Sequence, residues 1–325
     1  MPESVSWQTI KQALVGKPIP SHLAHHERFS KTTGLAVLSS DAMSSVAYAT
    51  EEVLRVLVIS GTAYLWYVAP ISGLIAALLF TVAFSYRYTI TAYPQGGGAF
   101  IVSKENLGEN FGLIAAASLM IDYILTVAVS VAAGVSALVS AFPQVGEHRV
   151  AIGLTLLLLL VIGNLRGIRE SGVIFALPTY FFLLSMLTLI VVGVWRVATG
   201  LATPIESLDP FHTEVAAPMT IFLLLRAFSN GCTAMTGIEA VADGVPAFRP
   251  PEPKNARATL LIMAVLCVVL FTGISFLASH YHVIPQKEET IVSLLARGVF
   301  GGKNALYYCV QISTLLILFL AANTA

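Results

Sequence analysis

The chain has 325 residues but only 18 basic and 18 acidic side chains, 11% of the total, against the roughly 25% of an ordinary soluble domain. Hydrophobic residues make up 56% and the mean hydropathy is +0.81, a composition that predicts an all-α polytopic membrane protein. Zero net charge leaves no basic surface to meet phosphates and excludes a nucleic-acid partner. Cys232, Cys267 and Cys309 stand in apolar surroundings without CxxC or Cys/His spacing, which argues against a zinc site and a disulfide framework.

Eight segments approach the roughly 20 apolar residues that a bilayer core of about 30 Å requires. Residues 1–33 are polar and lack a short apolar core followed by a cleavage site, so they are read as a cytoplasmic N-terminal segment rather than a signal peptide. The transmembrane domain then runs over residues 34–325. Its first span, residues 34–60, contains Ser39-Ser40-Asp41-Ala42-Met43-Ser44-Ser45. Serine and aspartate compete for backbone hydrogen bonds, so a broken helix is expected there. Glu51, Glu52 and Arg55 follow at spacings that allow pairing one turn apart, a structural or gating role.

The second span, residues 64–86, is charge-free and leads to Tyr93-Pro94-Gln95-Gly96-Gly97-Gly98-Ala99. Three glycines permit left-handed backbone. No Gly-Lys-Ser/Thr follows, so this is not a phosphate loop; a re-entrant or interfacial turn is expected. The third span, residues 111–142, carries Asp122, Thr126 and Ser130 at i, i+4 and i+8, with Ser118 one turn below. Such a stripe is expected to face the bundle interior, and interhelical hydrogen bonding is the other use of its hydroxyls.

The fourth and fifth spans, residues 150–165 and 173–195, are free of charge. The sixth, residues 215–245, holds Ser229-Asn230-Gly231-Cys232-Thr233-Ala234-Met235-Thr236-Gly237 and then Glu239, a second expected break. Glu239 and Asp243 stand one turn apart. Two carboxylates at close range in low dielectric do not both ionise easily, so Glu239 is a candidate proton carrier, while Asp243 is read as solvated at the mouth near Arg249. Arg226, before the break, is matched with an acid of the first span. The seventh span is residues 258–279. Residues 288–300 then place Ile291, Leu294, Leu295 and Val299 on one helical face, as an amphipathic helix lying in the interface would. The eighth span, residues 304–325, is still apolar where the chain stops, and the sequence is read as the front part of something longer. The seven histidines all sit in termini or loops, His25-His26 as a solvated surface pair, so proton transfer within the membrane falls to carboxylates.

With the N-terminus inside, the inner segments hold eleven Lys and Arg and the outer loops five, which supports that orientation. Aligning Ala42-Met43-Ser44 with Ala234-Met235-Thr236 relates the two breaks. Five spans separate them, and an odd number inverts the topology. Paired interrupted helices are the sequence mark of a secondary transporter built from inverted repeats, with its site at the midplane. There, freed carbonyls and Ser/Thr hydroxyls can hold a cation while a carboxylate supplies counter-charge.

The runs from Leu38 to Tyr48, from Ala92 to Ala99, from Ser103 to Glu109, from Asp122 to Ser130 and from Thr236 to Ala240 closely resemble the bacterial proton-coupled potassium importers related to the Kup group, in the amino acid–polyamine–organocation superfamily. The likeness covers nearly the whole chain. It implies a LeuT-like five-plus-five inverted repeat, truncated here, with the first and sixth helices broken. It implies K+ bound at Asp41, Tyr48, Asp122, Thr126, Ser130 and Thr236, and proton coupling at Glu239 or Asp122, with Glu239 also in the ion-site group. It further implies no cofactor, and pairing of two copies through a C-terminal part that would also carry regulation. An amino acid or amine permease of the same superfamily is the rival reading. Such a permease needs a glycine-rich break whose bare amides grip a carboxylate, and Asp41 occupies that place. A membrane protein that transports nothing, such as a sensor, is the third. An enzyme is excluded for want of HExxH, GxSxG or Gly-Lys-Ser/Thr.

Overall fold

The computed structural model describes residues 28–165, 172–205 and 216–324. Lys11, Lys17, His22, His25, His26, Arg166, Arg169, His212 and the outer-loop acids Glu206, Asp209 and Glu214 lie outside the described residues, as do Val215 and Ala325 at the ends of two expected spans.

Among the described residues the chain forms twelve α-helices and no named strand. They are α1 (Lys31–Leu38), α2 (Ser40–Leu57), α3 (Val68–Ala92), α4 (Gly98–Leu107), α5 (Glu109–Ala141) and α6 (Arg149–Leu165), then α7 (Gly172–Ala198), α8 (Ile221–Gly231), α9 (Ala240–Asp243), α10 (Glu252–His280), α11 (Ile291–Phe300) and α12 (Ala305–Thr324). Seven segments are long and apolar enough to cross a membrane, and the protein is an all-α polytopic membrane protein. The first expected span, residues 34–60, is missing from that set: it is divided into α1 and α2, and α2, although 18 residues long, carries Asp41, Glu51, Glu52 and Arg55. The sixth is the composite of α8, a 3-10 turn (Cys232–Met235) and α9.

The helix ends follow from local chemistry. Ser30 caps α1 by accepting from Thr33 N (3.1 Å), and Thr220 caps α8 by accepting from Leu223 N (3.2 Å), each satisfying an otherwise orphaned amide. The broken pair α1–α2 runs through the centre, with almost every residue of α2 buried. Around it pack α10, α8, α12 and α7, while α3 lies along α10 and α5 along α12. The outer faces of α5 and α6 expose Ile121, Ile124, Leu125, Leu154 and Leu158, an apolar surface of the kind that lipid covers.

The described chain begins against residues 247–249. Phe29 N donates to Ala247 O (2.7 Å) and Arg249 N to Phe29 O (2.9 Å), and Arg28 pairs with Glu252 at 2.5 Å. The start of α1 is thereby tied to the segment that follows α9.

Helix α11 corrects one expectation. Ile291, Leu294, Leu295 and Val299 do share a face, but all four are buried in the protein. Its neighbours α12, α7, α2 and α5 remove that face from lipid, so α11 is a packed element and not an interfacial one.

Candidate cation site at the two helix breaks

Ser39 alone separates α1 from α2, with φ −110° and ψ 4°. Its hydroxyl donates to Leu35 O, and Ser40 donates to Val37 O (2.9 Å). Ser44 and Ser45 both donate to Asp41 O, at 2.8 and 3.2 Å. Hydroxyl bonds to carbonyls three or four residues back bend a helix without unravelling it. The interruption is therefore one residue long, narrower than the serine-rich stretch suggested, and the serines take carbonyls that were expected to be free. Asp41 falls in the first turn of the 18-residue α2, where the helix macrodipole favours a carboxylate.

The second break is wider. After the 3-10 turn, Thr236 is extended (φ −63°, ψ 147°) and Gly237 is left-handed (φ 79°). A Cβ on Gly237 would lie 2.7 Å from both Ala42 N and Asp41 Oδ2, so glycine is what lets the two breaks touch. Thr236 Oγ1 stands 2.7 Å from Ser45 Oγ, which is 3.1 Å from Tyr48 Oη. The same threonine donates to Thr233 O (2.9 Å). Among the described residues, the carbonyls of Thr236 and Ile238 accept no backbone hydrogen bond outside a helix.

On α5, Thr126 and Ser130 are buried and Asp122 is half-buried. Ser118 departs from the expected stripe: it is exposed and bonds its own helix at Ile114 O. Helix α5 packs closely on α12 and touches α2 only lightly, which leaves room between the stripe and the breaks. Charge repulsion links Asp41 with Glu239 and Asp122, and Glu239 with Asp122 and Asp243. The acids of three separate spans thus converge on one region.

Asp243 Oδ1 is buried there without a hydrogen-bond partner, and so are three oxygens nearer the breaks, Asp41 Oδ1, Ser130 Oγ and Thr233 Oγ1. An unsatisfied buried polar group costs about 1–3 kcal/mol, and a charged one more. The last three come from α2, α5 and the second break, which makes them suited to a dehydrated cation held by hydroxyls and carbonyls with carboxylate counter-charge. Among the described residues no three of His, Cys, Asp and Glu gather as a metal cluster, and a hydroxyl-rich oxygen set favours hard ions over transition metals.

A cavity of about 320 Å³ adjoins the site. Tyr48 and Thr233 line it, with Glu51, Glu52 and Arg55 of α2, Thr290 and Val292 at the start of α11, Ser136 of α5 and Thr314 of α12. Arg55 pairs with Glu51 (2.5 Å) and Glu52 (3.7 Å), as their spacing indicates. The other Glu51 oxygen accepts from Ile291 N (3.1 Å), tying the broken helix to α11. No ion pair joins Arg226 to either glutamate among the described residues, and Arg226 is exposed on α8.

Of the residues expected at the site, Asp41, Tyr48 and Thr236 are linked directly or through Ser45. Glu239 and Asp122 join them electrostatically, and Thr126 and Ser130 are buried on the facing helix. Asp243 is not simply solvated near Arg249. It is half-buried, accepts from Tyr123 Oη (3.5 Å), and Arg249 instead bonds to Arg28 O. The site residues that sequence reasoning left out are Ser45, Thr233 and Gly237. The available signal was the Thr-x-x-Thr-Gly run, whose glycine marks where two backbones meet.

Residues 29–325 match the family model described as amino acid permease. The chain is 48% identical over 321 residues to a Bacillus subtilis (strain 168) protein named potassium transporter KimA, an alignment that covers 98% of this chain and 52% of that protein. The chain thus spans about half the length of this curated relative. The family matched lies in the superfamily expected from the sequence and is described as amino acid permease, not as the Kup group to which the motifs were related.

Proposed function

The chain belongs to the amino acid permease family, and on that premise we propose that it carries the ion-binding part of a potassium importer, a proton symporter of five-plus-five inverted-repeat design. Residues 34–325 are its transporter domain, and the N-terminus faces the cytoplasm. The single observation that carries the reading is Asp41. Its carboxylate is buried in the first turn of α2 with one oxygen unpartnered. In a permease that binds amino acids, a half-helix N-terminus receives the substrate carboxylate. Here a fixed carboxylate already stands there, backed by Gly237. It repels an anion and attracts a cation. The relative named as a potassium transporter supports K+ as that cation.

In this reading K+ comes from the outer side through the cavity beside Glu51 and Arg55. It exchanges water for the hydroxyls of Tyr48, Thr126, Ser130 and Thr236 and for the carbonyls of the second break. Asp41 and Asp122 balance its charge, and Glu239 carries the proton. A second reading, a permease for amino acids or amines, is favoured by the family's description. Competition separates the two: uptake of labelled K+ by the full-length protein in a transport-deficient cell should be unaffected by excess amino acids. Inhibition by an amino acid or amine, together with its own uptake, would establish the second.

A further inference from the structure

The triple glycine after α3 has no part in the cation site, yet among the described residues it is the only run of three consecutive residues with positive φ. Gly96, Gly97 and Gly98 all have positive φ, at 79°, 88° and 38°. A Cβ on Gly98 would strike Asp243 Oδ1 and lie 3.1 Å from its Cγ. A Cβ on Gly96 would strike Asp243 O and lie 3.0 Å from Pro246 Cδ. The turn therefore forms a hollow filled by Asp243, whose other carboxylate oxygen accepts from Tyr123 Oη. Gly98 also begins the ten-residue α4, so the carboxylate faces the positive end of that helix dipole.

Asp243 is the last residue of α9, a single turn of four residues. One turn cannot sustain itself, so tertiary contacts must hold it. Ala242 N and Asp243 N both donate to Glu239 O, at 2.8 and 2.9 Å, so whatever fixes Asp243 also fixes the backbone of Glu239. We infer that the turn Gly96–Gly98 is a socket for Asp243 that holds α9, and Glu239 with it, in place, and that withdrawal of Asp243 from the socket opens the protein on this side. Asp243 is then a positioning residue. The inference rests on the proposed function only for the meaning of opening, since the socket is defined without reference to any ion.

The test is the reaction rate of a cysteine placed at Ala242, which is 2% exposed, with a maleimide in detergent-solubilised full-length protein. Gly98→Ala fills the socket and should raise that rate about tenfold or more, as overpacking displaces the carboxylate. Asp243→Ala added to Gly98→Ala restores room for the new methyl, so the double variant should react more slowly than Gly98→Ala alone; that recovery also shows that the chain still folds. Gly108→Ala supplies the control for backbone strain, because Gly108 has φ 102° but open space where its Cβ would be; its rate should match the parent. An unchanged rate in Gly98→Ala, or an equal rise whether residue 243 is Asp or Ala, overturns the socket. Because this readout involves no potassium, the socket stands or falls apart from the transport reading.

Discussion

Gly237→Ala perturbs the contact that joins the two breaks. The new methyl would sit 2.7 Å from Asp41 Oδ2 and Ala42 N and 2.8 Å from Asp41 Cγ, where real methyl contacts need about 3.5–4.0 Å. Retaining left-handed backbone without glycine costs roughly 1–2 kcal/mol, and forcing a methyl into a packed site costs about 1–3 kcal/mol more. Even a total of about 2 kcal/mol is a factor of roughly 30 in an equilibrium constant. The apparent affinity for K+ in uptake by the full-length protein should fall by at least about that factor, with the amount of protein in the membrane near normal. Gly237→Asn separates the two contributions, since asparagine tolerates left-handed backbone but brings the same Cβ. It should fail nearly as badly as alanine. Wild-type affinity in Gly237→Ala would refute the contact between the breaks as the element that shapes the site, and recovery in Gly237→Asn would reduce the effect to backbone strain.

Glu239→Gln should leave K+ uptake measurable but remove its dependence on an imposed proton gradient, read by uptake at several external pH values; proton-driven uptake in this variant excludes Glu239 as the carrier. Glu51→Ala strands the Ile291 amide and removes the partner that Arg55 approaches at 2.5 Å. Loss of a buried acceptor costs about 1–3 kcal/mol, so the melting temperature of the purified protein should drop. Glu51→Gln keeps an acceptor for Ile291 and should lose less. Equal losses in the two variants would show that the tie to α11 contributes nothing.

The helical spans were legible because a continuous apolar run admits one solution in lipid, and both breaks were legible because serine, asparagine and glycine interrupt such runs. The form of each break was not. Nothing in Ser39-Ser40 says that its hydroxyls will bond to Leu35 and Val37, and so close the interruption to a single residue. The i, i+4, i+8 rule placed Thr126 and Ser130 inward correctly but not Ser118, because the rule describes a helix face and not where along the helix a neighbour ends. The pattern of α11 is the same whether its apolar face meets lipid or protein; only the packing of α12, α7 and α2 decides. The glycines at 96–98 announced an unusual backbone, yet their partner Asp243 is 145 residues further on from Gly98 and no local pattern pairs the two.

The central claim is that Asp41 supplies fixed counter-charge to a transported cation. Its most direct test is saturable uptake of labelled K+ by the full-length protein with Asp41→Asn, a change that keeps the shape of the side chain and removes the charge. K+ uptake should collapse, or its apparent affinity should fall by about a hundredfold or more, as loss of several kcal/mol of charge compensation requires. Uptake in Asp41→Asn at wild-type affinity would contradict it.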